Sequence, residues 1–293
     1  MSVFVAEELS EVLNTKVVIG RINMGLLNRI IIDDVLLDDQ SGQEMLKVTR
    51  LSAKFDIMPF FKGKISISSV QLFGFNINLR KETPDSPPNF KFVLDAFASK
   101  DTVKQENSLD LRINSILIRR GRMSYHVLSE EETPGKFNAK HIQLQNIIAN
   151  ISLKALSKDS LNLGIKRLSL DEKASGFSLK KMSLKLVANN KQTNIDNFTI
   201  ELPETSLKLD TIHLEYDSLK AFDRFTEQVH FSFRTLPSQV TLKDISPFVP
   251  ILSHFKEPVT LDMEVKGTVD QLTCSHLEIT ADDRQFRLRG DVS

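Results

Sequence analysis

The stretch KGKISISSVQLFGFNINLRK, residues 62–81, alternates apolar and polar residues, yet its apolar positions change parity twice. The apolar positions are odd-numbered, then even-numbered, then odd-numbered again: Ile65 and Ile67, Val70 and Leu72, then Phe75, Ile77 and Leu79. Alternation with a period of two predicts a β-strand with one apolar face. The changes at Ser68-Ser69 and around Phe73-Gly74 predict bulges or bends that return the apolar side chains to the same face.

The same alternation recurs along the chain and predicts a mainly β protein. Turn sequences rich in Gly, Asn, Asp and Pro separate the segments, which favours an antiparallel meander over βαβ units. The predicted strands are 17–22, 30–37, 45–55, 62–81, 109–118, 123–127, 141–153, 161–170, 177–187, 194–202, 206–216, 229–234, 260–265 and 286–288. Helices are predicted at 2–14, 90–99, 219–228 and 246–254, and the first of these is amphipathic.

No shift in composition divides the chain. We therefore expect residues 15–293 to form one continuous β-rich body behind a helix at residues 2–14. The last residues stop inside an alternating pattern, which favours a fragment of a longer chain.

Charge and cysteine content exclude some functions. Lys+Arg and Asp+Glu each number 38, so bulk charge attracts neither nucleic acid nor an anionic membrane surface. Cys274 is the sole cysteine and cannot form an internal disulfide, which fits the cytosol or a disulfide-free periplasmic protein.

The sequence carries no convincing catalytic or metal motif. The six histidines never pair at metal-ligand spacing, and each is predicted to be an ordinary surface or strand residue. The acidic cluster Asp33, Asp34, Asp38 and Asp39 lacks the ligand pattern of a calcium-binding EF-hand, and is predicted to be a solvated strand edge before a hairpin turn. We expect no enzyme activity, no cofactor and no metal.

The chain contains a weak internal repeat: ISISSVQLF, starting at Ile65, is similar to LRINSILIR, starting at Leu111. Each has an alternating pair, a polar step and a second alternating pair, which is suggestive of repeated hairpins. Apolar residues from the stretch 62–81 and from the second segment are the candidates to line a ligand-binding surface: Ile65, Ile67, Val70, Leu72, Phe75, Ile77 and Leu79, with Ile113, Ile116 and Ile118.

Two arrangements explain one-faced strands. A β-sandwich would bury two apolar faces against each other, and the pattern alone favours it. A sheet curled into an elongated open trough would instead offer its apolar face to a ligand.

Residues 15–79 resemble the N-terminal block of the AsmA-like and TamB proteins of Gram-negative bacteria. The similarity lies in a leading helix, a strand with a central glycine, a hairpin of the form I-x-D-V-x-L-x-D-x-x-G, and the pattern F-D-x-x-P-x-x-x-G-x-I-x-I-x-x-V-x-L. The matching positions are Gly20; Ile32, Asp34, Leu37 and Gly42; and Phe55, Asp56, Pro59, Gly63, Ile65, Ile67, Val70 and Leu72. The segments ASGFSLKKMSLKL and LPETSLKLDTIHLEYDSL are similar to TamB proteins of the Bacteroidetes.

This resemblance implies a lipid-holding β-groove of the bridge-like lipid transfer type, residing in the periplasm and anchored to the inner membrane. The implied function is non-enzymatic movement of phospholipid between the inner and outer membranes. The alternative is a scaffold for translocation and assembly of outer-membrane β-barrel proteins. The implied partners are phospholipid or another acyl-chain ligand, the inner membrane through an anchor, and an outer-membrane barrel-assembly protein.

Overall fold

The part of the chain that the structure describes is mainly β, as predicted. The structure is a computed structural model, and it describes residues 2–26, 28–55, 67–98, 114–156, 160–281 and 287–292. Its α-helices are α1 (Ser2–Leu13), α2 (Lys91–Ala98) and α3 (Phe225–Gln228), with 3-10 turns at Leu219–Arg224, Leu242–Ile245 and Pro250–His254. The strands are β1 (Val17–Gly25), β2 (Arg29–Asp38), β3 (Glu44–Phe55), β4 (Ile67–Lys81), β5 (Ser115–Val127), β6 (His141–Leu156), β7 (Ser160–Glu172), β8 (Ser178–Asn189), β9 (Gln192–Glu201), β10 (Ser206–Glu215), β11 (His230–Arg234), β12 (Ser238–Val240), β13 (Val259–Gly267), β14 (Leu272–Ala281) and β15 (Arg287–Val292).

The strands pair largely in chain order, as a meander requires. The hydrogen-bonded order runs from β1 to β11 and then through β13, β14 and β15, while β12 pairs with β10 and β13. The prediction of a wholly antiparallel sheet is wrong at one place, because β4 and β5 run parallel. A parallel pair needs a crossover connection, and here the long segment between β4 and β5, which contains α2, supplies it.

The weak internal repeat corresponds to the parallel pair of strands. Val70 pairs with Ile116 and Leu72 pairs with Ile118, and these residues occupy the same positions in the two copies of the repeat. The repeated pattern thus lies side by side on β4 and β5, and the expected stack of hairpins is replaced here by two strands in parallel.

The structure differs from the predicted elements at four places. The segments predicted at 109–118 and 123–127 belong to one strand, β5, over its described residues. The strand β14 was missed because a register shift between Cys274 and Leu277 breaks its alternation. The strand β12 was missed because it is short. In the region predicted as a helix at 246–254, the structure has a 3-10 turn at Pro250–His254, because Pro247 and Pro250 remove backbone N–H donors.

The chain divides into two compact units. The first comprises Met1–Ala149 and Leu170–Gly176, and the second comprises Asn150–Ser169 and Phe177–Ser293. The predicted single continuous groove over residues 15–293, and its trough shape, stay predictions.

The first unit has an apolar cluster where its helices meet the sheet. Ala6 of α1 is buried against Val17 and Ile19 of β1, together with Leu37 of β2 and Met45 of β3. Phe90, Phe92 and Val93, at the start of α2, pack against the same cluster. The predicted N-terminal helix is confirmed. Val5 and Leu13 of α1 pack with Ala6 against the cluster. The remaining apolar side chains of α1 are exposed, namely Val3, Phe4, Leu9 and Val12.

The acidic cluster is not the solvated strand edge that the sequence predicts. Asp33 is only 5% exposed, and its carboxylate accepts hydrogen bonds from Nε and Nη2 of Arg50, the former at 2.6 Å. The hydrogen bond and charge of Arg50 hold the pKa of Asp33 below its usual value. The predicted hairpin turn after the cluster is confirmed at residues 39–43, where Gly42 has a φ of 79°.

Asp39 is the anchor of that turn. Its carboxylate accepts hydrogen bonds from the backbone N–H groups of Ser41 and Gln43, from Asn89 at 3.1 Å and from Arg80 at 2.7 Å. Burial raises the pKa of Asp39, but the hydrogen bonds from Ser41, Asn89 and Gln43 outweigh it, so the pKa lies below its usual value. The turn is thereby fixed to β4 and to the start of α2.

We expect the free energy of unfolding to fall as the pH drops below about 4. The pKa values of Asp33, Asp39 and Glu172 are all lowered in the folded state. Their stabilisation is therefore complete above the unfolded values, about 3.9 for Asp and 4.3 for Glu, and is lost as the pH falls through the folded values. Urea midpoints measured at neutral pH and at about pH 3 test this. Asp33→Asn should flatten the acid limb, whereas a midpoint unchanged by acid would contradict the prediction.

Candidate functional site

The candidate lining on β4 and β5 comes together on one side of the first unit's sheet. Its centre is a cluster of three buried side chains, Val48, Phe75 and Ile147. Packed against them are Val35, Leu46, Leu51, Leu72, Ile77, Ile118, Met123, Leu144 and Leu170. We call this set the apolar face. Four predicted lining residues, Leu72, Phe75, Ile77 and Ile118, belong to it.

Four other predicted lining residues lie on the same strands outside that cluster. Directly paired residues share a face, so Val70 and Ile116 lie together, two residues before Leu72 and Ile118. Leu79 lies two residues beyond Ile77 and pairs with Tyr125. Ile67 lies beyond the bulge at Ser68. Ile65 and Ile113 fall outside the described residues.

The first parity change in the opening stretch is a β-bulge. Lys54 pairs with Ser69, but the next residue, Phe55, pairs with Ile67, so Ser68 is the extra residue on β4. Because Phe55 is two positions from the Ala53 that pairs with Val70, this register puts Ile67 on the face of Val70. The bulge predicted from Ser68-Ser69 is confirmed.

The second parity change has a different cause. Gly74 has a φ of 63°, in the left-handed region, while the pairing with β3 continues without a shift from Phe73–Arg50 to Phe75–Val48. Leu72 and Phe75 nevertheless contact the same cluster, three positions apart. A left-handed residue thus restores the apolar side chains to one face without inserting a residue into the ladder. A Cβ at Gly74 would also lie 2.7 Å from Oγ1 of Thr49.

Neighbouring strands of the first unit make the same three-residue step at the same level. On each strand two residues of the apolar clusters are three positions apart: Ile19 and Ile22 on β1, Ile32 and Val35 on β2, Val48 and Leu51 on β3, Leu72 and Phe75 on β4, and Leu144 and Ile147 on β6. Left-handed residues lie within the step on β2, β4 and β6, at Asp34, Gly74 and Asn146, and Arg120 occupies the equivalent position on β5. The parity change is a property of the sheet and not of one strand.

A left-handed residue within a three-residue step also occurs in the second unit. Asn197 of β9 has a φ of 54°, between Ile195 and Phe198. These two residues pair with Ile212 and Leu209 of β10, which are also three positions apart.

Phe73, which does not fit the alternation, lies on the opposite face. It is 36% exposed, and the guanidinium carbon of Arg120 lies 5.1 Å from its ring centroid. Phe73 pairs with Arg50 and Arg119, and Arg50 in turn pairs with Asp33. Charged side chains therefore cross this outer face beside the step, while the apolar face keeps to the other side.

The ring of Phe75 fits against β5 because residue 121 of that strand is a glycine. A Cβ at Gly121 would lie 2.4 Å from two atoms of the Phe75 ring and 3.0 Å from Cβ of Ile147. The glycine lets the ring lie flat across β5 and join Val48 on β3 to Ile147 on β6.

We expect Gly121→Ala to lower the free energy of unfolding by about 1–3 kcal/mol, the usual cost of overpacking a well-filled site. Chemical denaturation measures this. Adding Phe75→Leu should recover part of the loss, because the smaller side chain leaves room for the new methyl group. Additive losses from the two substitutions would contradict the proposed contact.

The apolar face continues into the cluster beneath the helices. Leu46 contacts both sets of buried residues, so apolar contact runs from α1 and α2 across the strands to Ile147. All the members of the apolar face come from β2 to β7, which are neighbours in one sheet. Val48, Phe75 and Ile147 are buried, and the other nine residues are only partly buried. These nine residues therefore leave some apolar surface uncovered.

Chemically, this face offers apolar contact. Among the described residues, one group of three or more has ligand atoms close enough to share a metal ion: His126, Glu132 and His141. Close spacing along the chain does not indicate this group, because His126 and His141 lie 15 residues apart. The signal available was the turn sequence at residues 130–135, which predicts that β5 and β6 meet and bring the two histidines together.

The chain matches no protein-family model and no curated protein in the comparisons. The resemblance to AsmA-like and TamB proteins thus stays a prediction from the residues quoted above. None of the helices in the described ranges combines the length and apolar character that crossing a membrane requires.

Proposed function

We propose that this chain is a non-enzymatic lipid conduit whose apolar face holds the acyl chains of phospholipids. The observation that carries the proposal is the apolar face itself, kept on one side of the sheet by a row of three-residue steps. A strand that simply alternates would not need left-handed residues at Asp34, Gly74, Arg120 and Asn146. Gly, Asn and Asp adopt this backbone at little cost, and three of the four positions hold one of these residues. Arg120 pays a conformational cost, so its place in the same row supports selection for the step.

The energetic need for such a face is large. Exposing the roughly 30 CH₂ groups of a two-chain phospholipid to water costs about 0.8 kcal/mol each, or roughly 25 kcal/mol in all. An apolar surface that takes up the acyl chains removes most of this cost and leaves the headgroup in solvent. This task requires no acid, base, nucleophile or metal.

The exposed apolar side chains of α1 support a role for this helix at a membrane surface. Val3 and Phe4 of α1 are 65% and 62% exposed, and Leu9 and Val12 are exposed as well. The opposite side of α1 packs on β1, where the apolar contacts begin. We propose that α1 caps one end of the groove and meets the lipid surface from which acyl chains enter.

The resemblance to AsmA-like and TamB proteins adds the location to the proposal. The conduit would lie in the periplasm, anchored to the inner membrane, and carry phospholipid between the inner and outer membranes.

Native mass spectrometry of the detergent-free protein tests this function. We expect phospholipid to co-purify, and delipidated protein to extract labelled phospholipid from vesicles. Protein that is free of lipid and extracts none would contradict the proposal. Co-purification of an outer-membrane assembly barrel in place of lipid would favour the scaffold function.

A further inference from the structure

The strongest unassigned constellation lies at the end of the β5–β6 hairpin. His126 is near the end of β5, His141 begins β6, and Glu132 lies in the loop between them. Nδ1 of His126 lies 3.1 Å from Nδ1 of His141 and 3.9 Å from Oε1 of Glu132. The three ligand atoms all fall within 4.8 Å of one another.

The hydrogen bond at the far side of His141 fixes which nitrogen is available. Nε2 of His141 lies 2.9 Å from the backbone oxygen of Glu130. A carbonyl oxygen only accepts, so Nε2 carries the proton, and Nδ1 of the neutral ring presents its lone pair towards His126. A histidine that ligates a metal commonly donates its second N–H to such an oxygen, which holds the ring in place.

Burial and hydrogen bonding hold His141 in place before any metal binds. His141 is 6% exposed, and its backbone N–H also donates to the carbonyl of Asn138. The side chain of His126 is about a quarter exposed and that of Glu132 is largely exposed, so the site opens to solvent on the loop side.

The separations suit a tetrahedral ion. Two ligand atoms at about 2.0–2.1 Å from a tetrahedral Zn²⁺ lie about 3.3 Å apart. The two Nδ1 atoms are already near this separation, and the exposed Glu132 needs a small side-chain rotation to reach it. We infer that His126, His141 and Glu132 form a Zn²⁺ site with a fourth position open to water. This inference is independent of lipid binding.

The metal would join the end of β5, the start of β6 and the loop between them. These strands carry Ile118 and Ile147 of the apolar face, so the ion would stabilise one end of the proposed lipid-binding sheet.

Titration of the untagged, chelator-treated full chain with Co²⁺ and Zn²⁺ tests the inference. We expect the intense visible absorption of tetrahedral Co²⁺, its displacement by one equivalent of Zn²⁺, and a rise in melting temperature with Zn²⁺. At a Zn²⁺ concentration 100 times the Kd, the folded-to-unfolded ratio should increase about 100-fold.

Two ligand variants and one control histidine test the assigned site. His126→Asn should weaken Zn²⁺ binding by at least about tenfold, because it removes one of three protein ligands. Glu132→Gln, on an exposed loop, should also weaken it without affecting folding, whereas His254→Asn should bind like the wild type. Absence of the tetrahedral Co²⁺ signal, or unchanged Zn²⁺ affinity in either His126→Asn or Glu132→Gln, would overturn the inference.

Discussion

Replacing Ile77 by aspartate is expected to reduce phospholipid capture by at least tenfold while leaving the sheet folded. Ile77 contacts the cluster of Val48, Phe75 and Ile147 and keeps partial exposure. A carboxylate there stays hydrated in the lipid-free protein. An acyl chain laid across it would strip that water, which costs more than the 1.4 kcal/mol that corresponds to a tenfold loss. Extraction of labelled phospholipid from vesicles measures the effect.

The matched control is Asn76→Asp. Asn76 is adjacent in sequence but lies on the opposite face, where it pairs with Lys47 and Arg122. The new carboxylate is thus placed between two cations, and lipid capture should be unchanged. If Ile77→Asp lowers the melting temperature sharply, Ile77→Thr provides the uncharged comparison. Wild-type lipid capture by a folded Ile77→Asp variant would contradict the assigned face.

Phe75→Ala is expected to lower the free energy of unfolding by about 3–5 kcal/mol, the usual loss for truncating a buried phenylalanine. Phe75 is 8% exposed and fills the space above Gly121 between Val48 and Ile147. Its removal leaves a cavity at the centre of the apolar face. Urea denaturation followed by circular dichroism measures the change.

Phe73→Ala serves as the control for the same residue type two positions away. Phe73 is 36% exposed and contacts Arg120 on the outer face, so its truncation should cost about 1 kcal/mol or less. Equal losses at the two positions would show that the two faces of β4 are not distinct.

The sequence predicts the class of fold because alternation survives in most strands. It also predicts the bulge at Ser68 and the unusual backbone at Gly74, since each breaks the alternation at residues suited to that break. It does not predict the parallel pairing of β4 with β5, because strand direction across a long connection leaves no local pattern. The sequence of one strand also does not predict that neighbouring strands make the three-residue step at the same level of the sheet. On β5 the left-handed residue is Arg120, and arginine is not a residue type that indicates a left-handed backbone.

The acidic and histidine residues show a second limit. Asp33 and Asp39 have the composition of a hydrated turn, but cross-strand pairing with Arg50 and packing against Asn89 bury them. His126 and His141 meet through a hairpin, so their separation along the chain conceals their proximity. In both cases the deciding contact joins side chains on different elements, 15 or more positions apart along the chain.

Photo-crosslinking at Ile77 and Asn76 tests the central claim most directly. A photoreactive amino acid at either position, irradiated with phospholipid vesicles present, reports which face meets lipid. We predict phospholipid adducts at position 77 and few at position 76. Equal labelling at the two positions, or none at position 77 in folded protein, would contradict the account of the apolar face as a lipid-binding surface.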